Sequence, residues 1–141
     1  MKLVLDTNVV MSLLLWGGSP AGLYSTARER GVKLQSSPPL IEELRKVIGR
    51  PEFGPRVHAT GRSVEELVAL YAVDVWLVHP VSVQGLAPDP QDDVVIGTAM
   101  AAKAEFLVTG DKGLLSVREY ECGRIVTVAE AIQVVEQMNL P

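Results

Sequence analysis

The chain has 141 residues, 48% of them hydrophobic and 21% charged, the size of one ordinary domain with ample apolar material for a core. Its formal charge of −4 argues against wholesale attraction to a phosphate backbone. No apolar run approaches the ~20 residues of a membrane span, and Asp6 and Asn8 interrupt the stretch that begins like a signal peptide, so a single cytoplasmic domain over 1–141, without membrane association, is expected.

Leu3, Val4 and Leu5 form an uninterrupted apolar run, the pattern of a central strand buried on both faces. It stops on Asp6-Thr7-Asn8. These three either cap the helix expected from Asn8 to Trp16, or stand at the carboxyl end of a strand, where open α/β sheets bind ligands. Gly17 and Gly18 break the pattern, and Ser19 with Pro20 reads as the N-cap and first position of a second helix, running to about Arg30 and ended by Gly31. Val32 to Ser36 alternates apolar and polar residues, as a half-buried or edge-side strand does. Ser37 and Pro38 open a third helix towards Ile48, closed by Gly49 and Pro51, and Phe53 to Arg62 reads as a loop with a turn of helix. Ser63-Val64-Glu65-Glu66 is a capping box for a helix to about Val73. Trp76 to Val78 is a strand halted by Pro80, and 81–90 is a connector. Asp89-Pro90 then opens an alanine-rich helix through Ala104. Phe106 to Val108 is a buried strand ending on Thr109-Gly110-Asp111, Arg124 to Val126 is the last strand, and Thr127 to Glu130 is a second capping box that opens the terminal helix. Strands alternating with helices predict an α/β three-layer sandwich, a central parallel sheet flanked by helices with right-handed crossovers.

Two strands end on an acid, Asp6 and Asp111, and parallel strands bring both carboxylates to one edge of the sheet. In the third helix Leu40, Leu44, Val47 and Ile48 form the core stripe. Glu43 flanks that stripe and reaches inward, whereas Glu42 points away, towards Arg45 or Lys46. Among the acids near 90, Asp89 is a cap. Asp92 shares a stripe with Val95, Ile96 and Ala99 and should face the sheet, with Asp93, ~100° further round, at the margin in a supporting role. First-turn acids also favour the helix dipole, so capping competes with chemistry at all three. Four inward carboxylates without compensating Lys or Arg are costly to bury, and a divalent cation removes the difficulty. All-oxygen ligands suit Mg²⁺ or Mn²⁺, which can activate water and neutralise charge on a phosphodiester. Asn8 and Thr109 are suited to orient such ligands by hydrogen bonding. The single Cys122 excludes an internal disulfide, and with no His cluster beside it a zinc site is not expected.

Charge is unevenly spread. From Thr26 to Arg62 eight cations face four acids, and from Ser63 onward four cations face twelve acids. The first half can therefore present a basic surface while the second supplies carboxylates. The apolar positions Leu13, Leu14, Leu15, Trp16 and Leu23 suit either core packing or a groove for a partner.

Leu5-Asp6-Thr7-Asn8-Val9, Glu43-Leu44, Asp92 within Asp-Asp-Val-Val-Ile-Gly-Thr-Ala, and Val108-Thr109-Gly110-Asp111-Lys112-Gly113-Leu114-Leu115 together resemble the PIN-domain nucleases, with the closest look to their toxin-like (VapC-type) branch. The match runs from Leu3 to the terminal helix. The resemblance implies a PIN-like fold and a metal-dependent, single-strand-directed endoribonuclease. It further implies the toxin of a type II toxin–antitoxin pair, dimeric and inhibited by a cognate antitoxin. Carried onto this sequence, Asp6, Glu43, Asp92 and Asp111 become the metal-site acids, with Asn8 and Thr109 in support. Two other readings stand beside it: a non-catalytic PIN-fold module that binds RNA or a partner, and a phosphohydrolase with Asp6 as nucleophile. Dehalogenase-like phosphatases want a second aspartate two residues after the first, where this chain has Asn8.

Overall fold

Successive residues of the first strand enter opposite cores. Leu3 and Leu5 join a cluster with Val9, Leu23, Leu44, Leu67 and Val135, while Val4 joins Leu40, Ile96, Leu107, Leu114 and Ile125. That alternation is what a strand covered on both faces requires, since side chains point alternately to either side. The computed structural model describes residues 1–138, and 139–141 of the expected domain lie outside the described residues. In chain order it comprises β1 (Lys2–Leu5), α1 (Thr7–Leu15), α2 (Gly18–Glu29), β2 (Lys33–Ser36), α3 (Pro38–Ile48), a 3₁₀ turn (Pro51–Phe53), α4 (Gly54–Ala59), α5 (Val64–Ala72) and β3 (Trp76–Leu77). There follow a 3₁₀ turn (Pro90–Asp92), α6 (Asp93–Ala102), β4 (Phe106–Val108), α7 (Lys112–Val117), β5 (Glu119–Tyr120), β6 (Gly123–Val126) and α8 (Val128–Glu136).

The sheet order is β3-β2-β1-β4-β6-β5, parallel throughout except for β5, which pairs antiparallel with β6. One face carries α1, α2, α3, α5 and α8 and the other α6 and α7, giving the expected α/β sandwich. Both capping boxes form, at Ser63 with Glu66 and at Thr127 with Glu130.

Several local expectations are corrected. Lys33–Ser36 is not an edge strand: it lies between β1 and β3, and its polar Gln35 and Ser36 are buried. Part of that polarity is explained next door, where the buried Ser37 hydroxyl is hydrogen-bonded at 2.8 Å to Thr98 of α6, so Ser37 does not use its side chain to cap α3. The second helix starts at Gly18 with Gly17 as its cap; both take positive φ, 78° at Gly17 and 57° at Gly18, and turn the chain sharply after Trp16. Helix α6 stops at Ala102 because Lys103 adopts the left-handed conformation (φ 53°). Residues 111–123 hold α7 and β5, neither of which has a clear apolar period in so short a span.

Candidate active site

Asp6 follows β1 and Asp111 follows β4, and these strands are neighbours with Leu5 in register with Val108. From β1 the chain builds outward through β2 and β3, then resumes with β4 on the other side. The carboxyl ends of β1 and β4 are therefore a topological switch point, where an open sheet leaves a crevice.

Thr109 ties the two acids together there. Fully buried, it donates its hydroxyl to Asp6 Oδ2 at 2.7 Å and accepts the Asp111 N–H at 3.0 Å. Asp6 Oδ1 accepts the Thr7 N–H at 2.8 Å, so Asp6 also caps α1; each oxygen keeps a second lone pair for another partner. Asp111 Oδ2 accepts the Leu114 N–H at 2.9 Å and caps α7.

A cleft of about 500 Å³ opens above these groups, and Asp6, Glu43, Asp92 and Asp111 all line it, with Thr7, Asn8, Arg50 and Phe53 among the other walls. Glu43 comes from the exposed margin of α3, one turn from the buried Leu40 and Leu44. Glu42 instead pairs with Arg45 on the solvent side. Asp92 ends the 3₁₀ turn rather than standing inside α6, and its side chain makes no capping bond; the cap of that turn is Asp89, which accepts the Gln91 N–H at 3.0 Å. It is thereby left available to the cleft.

Asp93 is not at the margin of this cleft. It is buried and turned towards the connector, where its carboxylate accepts the N–H groups of Ala87 at 2.8 Å and of Gly85 and Leu86 at 3.0 Å each. Those bonds, that of Ala87 first, hold its carboxyl below the usual range. Its role is to fasten the chain that leads into Asp89–Asp92. Of the other two residues expected to support the acids, Thr109 hydrogen-bonds Asp6 and Asn8 lines the wall of the cleft.

Burial raises the Asp6 carboxyl above its ordinary value; the hydrogen bonds from Thr109 and Thr7 oppose this, and the charges of Asp111 and Glu43 add to it. Asp92 is pushed up to about 6, by burial first and then by the nearby charges of Asp6 and Asp111. Among the described residues the cleft walls carry one cation, Arg50. Donors of oxygen only, mutually repelling and short of counter-charge, fit a hard divalent ion. Among the described residues no three Asp, Glu, His or Cys side chains converge closely enough to make a ready-made ligand set. An ion here would keep part of its water shell, as Mg²⁺ usually does.

A sequence model of the PIN domain matches residues 2–113, from β1 to the start of α7, a span that contains all four acids. The chain belongs to the PIN domain family. PIN domains are usually nucleases and generally use divalent metals. No curated protein and no solved structure matches the chain. In this PIN domain β6 and β5, beyond the matched span, extend the central sheet from β4.

The sequence reading missed Arg50 and Phe53 as walls of the cleft. Their signal was the excess of cations around Phe53, five Arg or Lys residues against the single acid Glu52 between Arg45 and Arg62. Of the early apolar positions, Leu15 and Leu23 are core, whereas Leu13 and Leu14 line a second cavity with Tyr24, Leu67, Leu70 and Tyr71.

Proposed function

We propose that this PIN domain is a metal-dependent endoribonuclease acting on single-stranded RNA. The observation that carries the reading is the meeting of Asp6, Glu43, Asp92 and Asp111 in one cleft at the switch point of the sheet. These four would hold the Mg²⁺ or Mn²⁺, which when bound supplies an activated water and neutralises charge on the phosphodiester. Thr109 fixes the orientation of Asp6 and the start of the Asp111 turn, so both acids are set before any ligand arrives. Arg50, which among the described residues is alone on the walls in carrying positive charge, suits an RNA phosphate at the rim. Hydrolysis adds water across one P–O bond and leaves one phosphate end and one hydroxyl end. A phosphohydrolase that attacks through Asp6 is less well supported, because both Asp6 oxygens accept hydrogen bonds that reduce their nucleophilicity.

The same reading extends to biology: a single cytoplasmic domain, homodimeric, serving as the toxin of a type II pair and silenced by a cognate antitoxin. Its support is the likeness of the four motifs to the toxin-like branch. The enzymatic core is tested by cleavage of a fluorogenic single-stranded RNA with Mg²⁺, Mn²⁺ or EDTA. Metal-stimulated cleavage lost in Asp6→Asn and Asp111→Asn is expected, and undiminished cleavage in both variants would sink the assignment. The toxin role is tested by expressing the chain with and without the product of the reading frame immediately upstream. Growth arrest relieved by that product is expected, and equal growth in the two cultures counts against it.

A further inference from the structure

Beside the acidic cleft lies a group of side chains that metal binding does not use. Trp16, at the end of α1, is 50% exposed. The Phe53 ring meets it edge to face, with centroids 6.2 Å apart, and Phe53 is itself a wall of the cleft. The guanidinium of Arg56 lies 5.5 Å from the Trp16 ring centroid and is fixed there by donating Nε–H to the Leu15 carbonyl at 2.6 Å. An exposed tryptophan held by an arginine that bonds a helix end is a preorganised aromatic surface, since neither partner must lose much freedom to present it.

Its setting is cationic. From Arg45 to Arg62 there are five Arg or Lys residues and one acid, Glu52. Arg45 is committed to Glu42 and Glu65, whereas among the described residues Lys46, Arg50, Arg56 and Arg62 make no ion pair. Two of these have a defined place: Arg50 lines the acidic cleft and Arg56 lies over Trp16, so a net acidic protein keeps unpaired positive charge at both. The nine-residue α1 separates Asp6 from Trp16 by about 14 Å along its axis. The aromatic surface is therefore too far away to touch the scissile group, yet continuous with it through Arg50 and Phe53.

We infer that Trp16, backed by Phe53 and Arg56, is a stacking platform for a nucleobase of single-stranded RNA, one that flanks the phosphate under attack. A base stacks on a flat aromatic or guanidinium face whatever its sequence, while neighbouring cations follow the backbone; that combination is how single strands are held without base-specific hydrogen bonds. A duplex buries its base faces and gains nothing from such a platform. Trp16 therefore supplies a preference for unpaired RNA. This inference rests on the ribonuclease reading.

The test separates base from backbone. Binding of fluorescein-labelled oligo(A) RNA and of an abasic phosphodiester of the same length is measured by anisotropy in EDTA, which stops metal-dependent turnover. The wild type is expected to favour the base-bearing strand. Trp16→Ala should weaken oligo(A) binding by roughly tenfold and leave abasic binding unchanged, whereas Trp16→Phe keeps most of the preference. Arg56→Gln, with Trp16 intact, should reduce affinity for oligo(A) more than for the abasic strand. A ratio of the two affinities that is the same in wild type and Trp16→Ala, or a wild type with no preference for bases, overturns the inference. Cleavage with Mn²⁺ is scored separately: a wild type that cleaves normally while the ratio is unaffected refutes the platform alone, and one that cleaves no RNA refutes the nuclease reading.

Discussion

Thr109→Val is the substitution that most cleanly probes how the site is built. It keeps the side-chain shape at a fully buried position and removes two bonds: a donor to the Asp6 carboxylate at 2.7 Å and an acceptor for the Asp111 N–H at 3.0 Å. A hydrogen bond to a charged group contributes about 1.5–3 kcal/mol, and a partly buried N–H left unpaired, as at Asp111, costs about 1 kcal/mol, the low end for a buried one. Allowing for partial relaxation, a loss of about 2–4 kcal/mol is expected, or roughly 6–16 °C in Tm for a domain of this size. Thr109→Ser keeps both bonds and loses one methyl, worth about 1 kcal/mol. Urea unfolding at pH 8 of wild type, Val and Ser variants gives the order directly. Repeating the Val substitution in an Asp6→Asn background should shrink its cost by about 1 kcal/mol or more, since the bond it breaks is then neutral. A Val variant as stable as wild type, or a Ser variant worse than Val, would refute the claim that Thr109 acts through its hydroxyl.

In the folded metal-free protein burial and the neighbouring carboxylates push the Asp92 carboxyl up to about 6, against 3.8 for an ordinary aspartate. Over that window the folded state holds more protons than the unfolded one, so this group's contribution to stability declines as pH rises. Asp92→Asn should therefore melt above wild type at pH 7.5 in EDTA and level with it at pH 4; the reverse order would contradict the crowding of carboxylates. Added Mn²⁺ should raise the wild-type Tm at pH 7.5 by roughly 3–6 °C at tenfold its Kd, with a smaller rise in Asp6→Asn. Gly97→Ala should destabilise by about 1–3 kcal/mol, because its Cβ would stand 2.2 Å from the Val81 carbonyl oxygen, a backbone atom with little room to move; an unchanged urea midpoint would show that the connector yields. Asp93→Ala should speed amide exchange at Gly85, Leu86 and Ala87, detected by exchange mass spectrometry, while lowering Mn²⁺ affinity less than Asp92→Ala does.

What the sequence made legible was whatever depends on local pattern. The run Leu3–Leu5 is apolar on both faces and became the central strand; Ser63 with Glu66 and Thr127 with Glu130 are reciprocal caps whose spacing alone fixes them. Asp6 and Asp111 follow from the same logic, as acids at the ends of buried strands. What failed depends on tertiary partners. The alternation over Val32–Ser36 reads as a half-buried or edge-side strand, and only β3 beside it and α6 packed across it make that strand interior. Helical phase separated Asp92 from Asp93 but put Asp93 at the cleft margin, because α6 begins at Asp93, three residues after the expected Pro90, and Asp92 ends a 3₁₀ turn instead. Three N–H groups of the connector then claim Asp93 and leave Asp92 to the cleft. Thr109 was legible as a neighbour of Asp111, but its grip on Asp6 spans 103 positions of sequence and depends on the pairing of β1 with β4.

The central claim is that the four acids of this cleft gather a divalent cation. The most direct measurement is anomalous diffraction from crystals grown with Mn²⁺. The expected result is a peak in the cleft in contact with Asp6 and at least one of Asp92 and Asp111, lost in Asp6→Asn crystals. No peak in the cleft, or a peak confined to surface acids such as Glu42 and Glu65, would contradict it.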